Sequence, residues 1–429
     1  MTRATALLLT LAGLLALPAG ATAKNRWLDL RVMNMAHQGG EDELPSNTMF
    51  AYKTSLKRGA DFLELDVGVT KDGRVVVIHD NTVDKKTNGT GSINDLTLAQ
   101  VQKLDAAYWF VPGRNAVHGL PASSYPYRGI RTGKRRPPKG FTRDDFRIPT
   151  LEEVLRAFPR TPINVEIKGK DGQDEAVYQR GARLLAQVLK RSGRKDVIVT
   201  SFDQPAIDTF HRLAPGIPLA PGIDGTANFI LKNGSPGPGV VAFQVPITYT
   251  LGGQKLTITT PEFVKKAHEA GYAVHVWLSD DPENAATYRK LLSMCVDGIM
   301  AAQPQALERL LDREGIGRPG GRGQDPCGTS ATANATVSKA GSATVTLKRR
   351  GLSMERRTGT LTLRSAGRRP TSLGRARFTL PSDAATTTAT VKLTAAGRRA
   401  LATGRPLKAV AETREHGAPV RTALTLRGG

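Results

Sequence analysis

Glu64 and Asp66 stand two residues apart in an otherwise apolar run from Phe62 to Val67. Side chains two apart in a strand share a face, so Phe62, Glu64 and Asp66 point one way and Leu63, Leu65 and Val67 the other. If the apolar side packs outward on helices, the two carboxylates face an enclosed interior. Like charges there are costly unless they are paired or bind a cation. In the run Asn164-Val165-Glu166-Ile167-Lys168 the same alternation puts Asn164, Glu166 and Lys168 on one face. Three carboxylates with no His or Cys among them make a hard oxygen site, suited to Ca²⁺ or Mg²⁺ rather than zinc. The competing reading is a carboxylate pair satisfied by Lys or Arg neighbours. Lys168 can hold a phosphate oxygen as a point charge, or serve as the charge partner of Glu166.

Two histidines fall at the ends of strand-like runs. His37 precedes Gln38-Gly39-Gly40, and the glycines allow a tight turn or a close ligand approach. His79 closes Val76-Val77-Ile78 and is followed by Asp80. Histidines beside a divalent-metal site suit acid–base work near neutral pH. A single histidine in such a place is often only a hydrogen-bonding residue. The pair, at strand ends that also carry the acids, favours the functional reading.

These side chains need a scaffold that gathers strand ends at one face. Short apolar runs at 32–36, 61–67, 162–167, 196–201, 217–221, 240–245, 272–278 and 296–300 alternate with helix-like segments. Thr150 with Glu153 reads as a capping box, and Thr260-Pro261 as an N-cap and first helical position. Eight strands alternating with helices predict a parallel (β/α)₈ TIM barrel over 24–315. Residues 74–79 break the alternation. The link from 70 to 73 is too short for a parallel crossover, so it predicts an antiparallel β-hairpin inserted after the second strand. The hairpin returns His79 to the mouth that Glu64 and Asp66 face. Residues 108–148, rich in Pro, Gly, Tyr and Arg, suit a substrate-covering loop. A Gly/Arg-rich linker at 316–327 leads to 328–429. The alternating runs there predict a small all-β domain, a β-sandwich whose texture resembles immunoglobulin-like modules.

The combined motifs resemble the glycerophosphodiester phosphodiesterase family. The resemblance is carried by His37-Gln38-Gly39, Asn47-Thr48, Gly59-Ala60-Asp61, Glu64-Leu65-Asp66-Val67, Thr70-Lys71-Asp72-Gly73 and Val76-Val77-Ile78-His79-Asp80. The segment from Asn164 to Lys168, Val274-His275-Val276-Trp277 and Val296-Asp297-Gly298-Ile299 extend it. The resemblance implies metal-dependent cleavage of a glycerophosphodiester to glycerol 3-phosphate and an alcohol. It makes His37 and His79 the acid and base, and Glu64, Asp66 and Glu166 the metal ligands. Lys168 matches a phosphate-contacting lysine. Trp277, which taken alone would be core, matches an aromatic lining the pocket. Three positions depart from the family pattern. Gln38 stands where Arg is usual, Ser46 where Glu is usual, and Ala301-Ala302 where Thr-Asp is usual. Arg grips phosphate bidentately and Gln offers only neutral donors, so Gln38 as a substrate-binding residue implies an altered phosphate affinity or substrate choice.

The remaining features bear on location and partners. Arg3, the apolar run 6–17 and Ala21-Thr22-Ala23 fit a signal peptide over 1–23, which predicts a secreted or cell-envelope-associated protein with no transmembrane helix in its mature form. Cys295 and Cys327, the only cysteines, could pair in an oxidising compartment, but spacing does not decide it. The net charge is +23, and 328–429 alone holds 19 Lys and Arg against 4 Asp and Glu. Such a tail could contact an anionic cell envelope or simply be a soluble basic surface. No nucleic-acid partner is expected. The expected ligand is a small glycerophosphodiester or a lysophospholipid. Two other functions fit the same scaffold: phospholipase D-like cleavage of lysolipids or sphingolipids, and non-catalytic envelope binding.

Overall fold

The computed structural model describes residues 25–28, 32–169, 175–279, 281–316, 324–415 and 418–428. The signal-peptide expectation at 1–23 and most of the linker lie outside these residues. The first part of the chain is a parallel barrel. Its strands are β1 (Met33–Ala36), β2 (Phe62–Val69), β4 (Ile163–Ile167), β5 (Val197–Thr200), β6 (Ala242–Pro246), β7 (Ala273–Trp277) and β8 (Gly298–Ala301), hydrogen-bonded in the order β5-β4-β2-β1-β8-β7-β6. Leu219 closes the ring through parallel bridges to Val199 and Val240, so the expected strand at 217–221 is present as one extended segment. β3 (Val75–Val77) returns antiparallel along β2, with Val77 opposite Val67, as the short turn required.

Each barrel strand is followed by a helix: α1 (Met49–Lys57), α2 (Leu151–Ala157), α3 (Glu175–Ser192), α4 (Gln204–Leu213), α5 (Ile223–Lys232), α6 (Pro261–Glu269), α7 (Ala285–Met294) and α8 (Pro304–Arg313). The start signals act as expected. Thr150 and Glu153 form a reciprocal capping box, and Thr260 accepts from the Phe263 N–H ahead of a first-turn proline. Leu63, Leu65 and Val67 point outward into a buried layer with Val165, Leu185 and Phe210. The inward face differs along its height. Its floor is apolar, with Met33, Met35, Phe62, Ile198 and Met300 capped by Trp27, whose ring lies 5.4 Å from that of Phe62. Glu64 and Asp66 follow Phe62 upward on that face, so the carboxylates sit above this largely apolar layer.

No residue of the segment 108–148 lines the main cavity at the strand tips. It packs against the flank of α1, where Phe50 meets Tyr127, Phe141 and Phe146. Its aromatic and basic residues satisfy one another, because the Arg128 guanidinium lies over the rings of Tyr108, Trp109 and Tyr125. That mutual packing accounts for a composition that suggested a substrate loop.

The tail is built of strands, as expected, with one short helix at Ala395–Leu401, but the strands form a single sheet rather than a two-sheet sandwich. Seven strands run between Ser330 and Gly428 in one hydrogen-bonded order, and a bridge from Gly374 to Leu393 brings its two ends together into a curled, barrel-like sheet. Its core is aliphatic, with Val345, Leu347, Leu361, Leu363 and Leu426 fully buried. Cys295, just past α7, is bonded to Cys327, which settles the pairing. Ser382 and the Arg356 N–H both donate to Glu269 at the end of α6. Helices run back down the barrel, so these contacts anchor the tail at the end opposite the strand tips.

Candidate active site

The strand register brings the acids together. Asp66 is paired with Glu166 across β2 and β4, and Glu64 with Asn164. Carboxylate oxygens of Glu64, Asp66 and Glu166 all lie within 4.8 Å of one another. Asp66 is fully buried and Glu64 nearly so. Burial and the neighbouring Asp66 push the Glu64 carboxyl up to about 8, outweighing His37 and the Gln38 N–H. Burial works the same way on Asp66, but Lys168, His79 and His37 overcome it and hold this carboxyl below its usual range. One Asp66 oxygen, Oδ1, has no hydrogen-bond partner among the described residues, although Lys168 Nζ stands 3.3 Å away. Three hard donors, one with its ionisation suppressed by its neighbours and one with an unused lone pair, are the donor set a Ca²⁺ or Mg²⁺ ion takes. Lys168 Nζ also lies 2.8 Å from Glu166, so the lysine acts as a charge partner here. Burial disfavours its charge, yet Glu166 and Asp66 more than compensate and raise its pKa.

The turn after β1 sets the first histidine. Gln38, Gly39 and Gly40 all have positive φ, and a Cβ on Gly40 would fall 2.8 Å from the Pro304 ring. The reversal aims the Gln38 N–H at Glu64 Oε2, 2.8 Å away. It also puts His37 Nδ1 2.6 Å from Glu41, with Nε2 3.8 Å from Glu64. Burial alone would lower the His37 pKa, but Glu41 and Glu64 dominate and push it up to about 10. Glu41 in turn is drawn down to about 2, since His37 outweighs the burial that would raise it. The hairpin sets the second histidine. The Ile78 N–H donates to the Asp66 carbonyl, and His79 Nδ1 lies 3.1 Å from Asp80. Burial would raise the Asp80 carboxyl, but the bond to His79 and the charge of Lys86 bring it down to about 2. Each ring is therefore oriented through Nδ1 by a carboxylate, which leaves Nε2 for proton exchange.

His37, Glu64, His79, Glu166, Lys168 and Trp277 line one cavity of about 350 Å³ at the strand tips. Asp66, fully buried, is not among its lining residues. Gln38 does not point into it. Its side chain is buried and accepts from Lys86 Nζ at 2.7 Å, and the same ammonium donates to Ser46 at 2.7 Å. Two of the three departures from the family pattern thus meet at a lysine contributed by a loop 40 residues beyond Ser46.

Several supporting residues escaped the sequence reading. Glu41, four residues after His37, and Asp80, adjacent to His79, were visible as nearby acids without an assigned role. Asn47 donates to Asp66 at 3.2 Å and accepts from the Tyr52 hydroxyl at 2.7 Å. Lys86 and Phe202 gave no signal, because only the fold brings them to the site. The Phe202 ring lies edge-on to Trp277, 5.9 Å between centroids, with Lys168 Nζ 5.6 Å from its own centroid.

Residues 37–306 match the family model described as the glycerophosphoryl diester phosphodiesterase family. A glycerophosphodiester phosphodiesterase of Bacillus subtilis (strain 168) is 29% identical over 302 residues, 68% of this chain and 91% of the relative. One of Caldanaerobacter subterraneus subsp. tengcongensis is 29% identical over 288 residues, 67% of this chain and all of the relative. Among solved structures, a candidate glycerophosphoryl diester phosphodiesterase from Silicibacter pomeroyi DSS-3 superposes with a TM-score of 0.50 at 21% identity, covering 67% of this chain and 95% of that one. That last likeness speaks to the barrel alone. The family match spans the turn that holds His37, both acid-bearing strands and the hairpin that returns His79, so the site and the match coincide, and the chain belongs to the glycerophosphoryl diester phosphodiesterase family.

Proposed function

We propose that this chain hydrolyses glycerophosphodiesters to glycerol 3-phosphate and an alcohol, using a divalent cation and two histidines. The observation that carries the reading is the convergence of three carboxylates and two carboxylate-oriented histidines at one barrel mouth. Glu64, Asp66 and Glu166 would hold the cation, Ca²⁺ or Mg²⁺. When bound it supplies positive charge to the phosphoryl oxygens. Lys168 adds a second positive charge at the same rim, released from Glu166 and Asp66 once their negative charge is shared. His37 and His79 divide the proton work. One takes the proton of the attacking hydroxyl and the other delivers a proton to the leaving alkoxide. Glu41 and Asp80 hold the two rings in the orientation this requires. The relatives' names support the substrate class, and the site supports the chemistry.

Replacing His37 or His79 with Asn tests the assignment. Turnover of glycerophosphocholine, followed by phosphorus NMR, should fall at least about 100-fold in each variant. A variant that kept more than about a tenth of wild-type turnover would remove that histidine from the chemistry.

The composition supports further proposals. Residues 1–23 act as a cleaved signal peptide, 24–315 form the catalytic barrel, and the basic 328–429 holds the exported enzyme at an anionic envelope surface. No helix among the described residues is long and apolar enough to cross a membrane.

A further inference from the structure

His37 and His79 sit on different elements, one on the turn after β1 and the other just past β3. One side chain reaches toward both. Lys86, on the loop that follows the hairpin, is half-buried and lines no part of the catalytic cavity. Its Nζ donates to Gln38 Oε1 and to Ser46 Oγ, each at 2.7 Å. Both acceptors are buried neutral groups. A cation at 38 would repel this ammonium, so the neutral Gln38 and its lysine belong together. Gln38 also acts through its backbone. Its left-handed conformation forms part of the turn that carries His37, and its N–H donates to Glu64. The bond from Lys86 therefore holds that turn from its outer side.

On its other side, Lys86 borders a cavity of about 20 Å³ shared with His79 and Asp80. Asp80 Oδ2 is buried with no hydrogen-bond partner among the described residues. Lys85 Nζ lies 3.6 Å from Asp80 Oδ1, but that lysine is exposed and water and salt screen its charge. Burial opposes ionisation of Asp80. Its bond to His79 and then the charge of Lys86 restore it, ahead of Lys85. Burial opposes ionisation of Glu41 as well, and after His37 the charge of Lys86 favours it.

Taking proton transfer by His37 and His79 as its premise, we propose that Lys86 is a positioning residue for both histidines. From outside the cavity, one ammonium holds the turn that carries His37 and sets positive charge near the two carboxylates that orient the rings. It touches no reacting atom, so its effect belongs in kcat and not in the binding of the diester.

The test measures kcat and KM for glycerophosphocholine on the full-length, metal-loaded protein. Wild type is compared with Lys86→Met, Gln38→Met and the double variant, at a temperature where all are folded. Lys86→Met should lower kcat at least about tenfold, since a small misplacement of a catalytic group suffices for that. Its KM should stay within about twofold of wild type, as expected for a residue that makes no contact with substrate. It should also melt lower, because the Gln38 carbonyl is left buried without a donor. The double variant removes both partners and should regain melting temperature while staying slow. Gln38→Met keeps the ammonium on Ser46 and should turn over faster than either Lys86 variant. A double variant that regained wild-type kcat would overturn the proposal, because Lys86 would then serve only to satisfy Gln38. Wild-type kcat in Lys86→Met, or a tenfold rise in KM with kcat unchanged, would also overturn it and leave the phosphodiesterase reading standing. A wild-type protein that turned over no glycerophosphodiester would sink the premise, and the proposal with it.

Discussion

Glu64 shows how single residues here trade stability for chemistry. Without a cation its carboxyl is held up to about 8 by burial and by Asp66, so the pair is frustrated. Glu64→Gln should therefore match or exceed the wild-type melting temperature in EDTA. Wild type should then gain stability on adding Ca²⁺ or Mg²⁺ by binding linkage, and the variant should not. A variant that gained as much as wild type would mean that Glu64 is not a ligand. The identities of these acids were legible because strand alternation is a local rule, and Phe62, Glu64 and Asp66 obey it. Gln38 was harder. Its type was readable as a departure from the family, but its left-handed backbone turns the side chain away from the cavity toward Lys86. A contact over 48 residues is set by the fold and leaves no local trace.

At the scale of elements, the barrel strands and the hairpin were readable because each is bounded by its own turn chemistry. Thr70 to Arg74 closes β2 onto β3 within a span that forbids a crossover. The segment 108–148 was not readable in the same way. Aromatic and basic residues serve a binding loop and a self-packed flank equally well, and only the position of Phe50 on α1 decides between them. It still reaches the site indirectly, since Asn115 donates to Glu41 at 2.7 Å. On β7, His275 is fully buried and neither ring nitrogen has a hydrogen-bond partner among the described residues. Burial pushes its pKa down to about 4. The unfolded chain, with an ordinary histidine near 6.5, then binds the extra proton first as pH falls. The barrel should lose stability between about pH 6.5 and 4, on the order of 3 kcal/mol from this group, and no more below that window. The three tryptophans, Trp27, Trp109 and Trp277, all lie in the barrel part, so their fluorescence in urea follows it separately from the tail. His275→Gln should shrink the acid-dependent drop, and an unchanged pH profile would mean that His275 is not its source.

For the whole molecule, the sequence showed two compositions but not how they join. The disulfide from Cys295 to Cys327 and the bonds to Glu269 place the tail at the end of the barrel away from the cavity. Converting both cysteines to Ser opens a loop with a sequence separation of 32, which chain entropy values at about 3 to 4 kcal/mol. The variant should melt lower yet keep its kcat/KM, and a loss of kcat/KM at temperatures where it is still folded would show that the tail reaches the site. The basic tail was legible as charge, but its partner was not, because a surplus of Arg states a sign and no shape. The proposal that unites barrel, hairpin and acids is metal-dependent cleavage of a phosphodiester. The most direct test is release of glycerol 3-phosphate from glycerophosphocholine by the purified protein, first with EDTA and then with Ca²⁺ or Mg²⁺ restored. The account predicts no release in EDTA and recovery with the cation. Full activity in EDTA would contradict the metal site, and no release with any cation would contradict the assigned substrate.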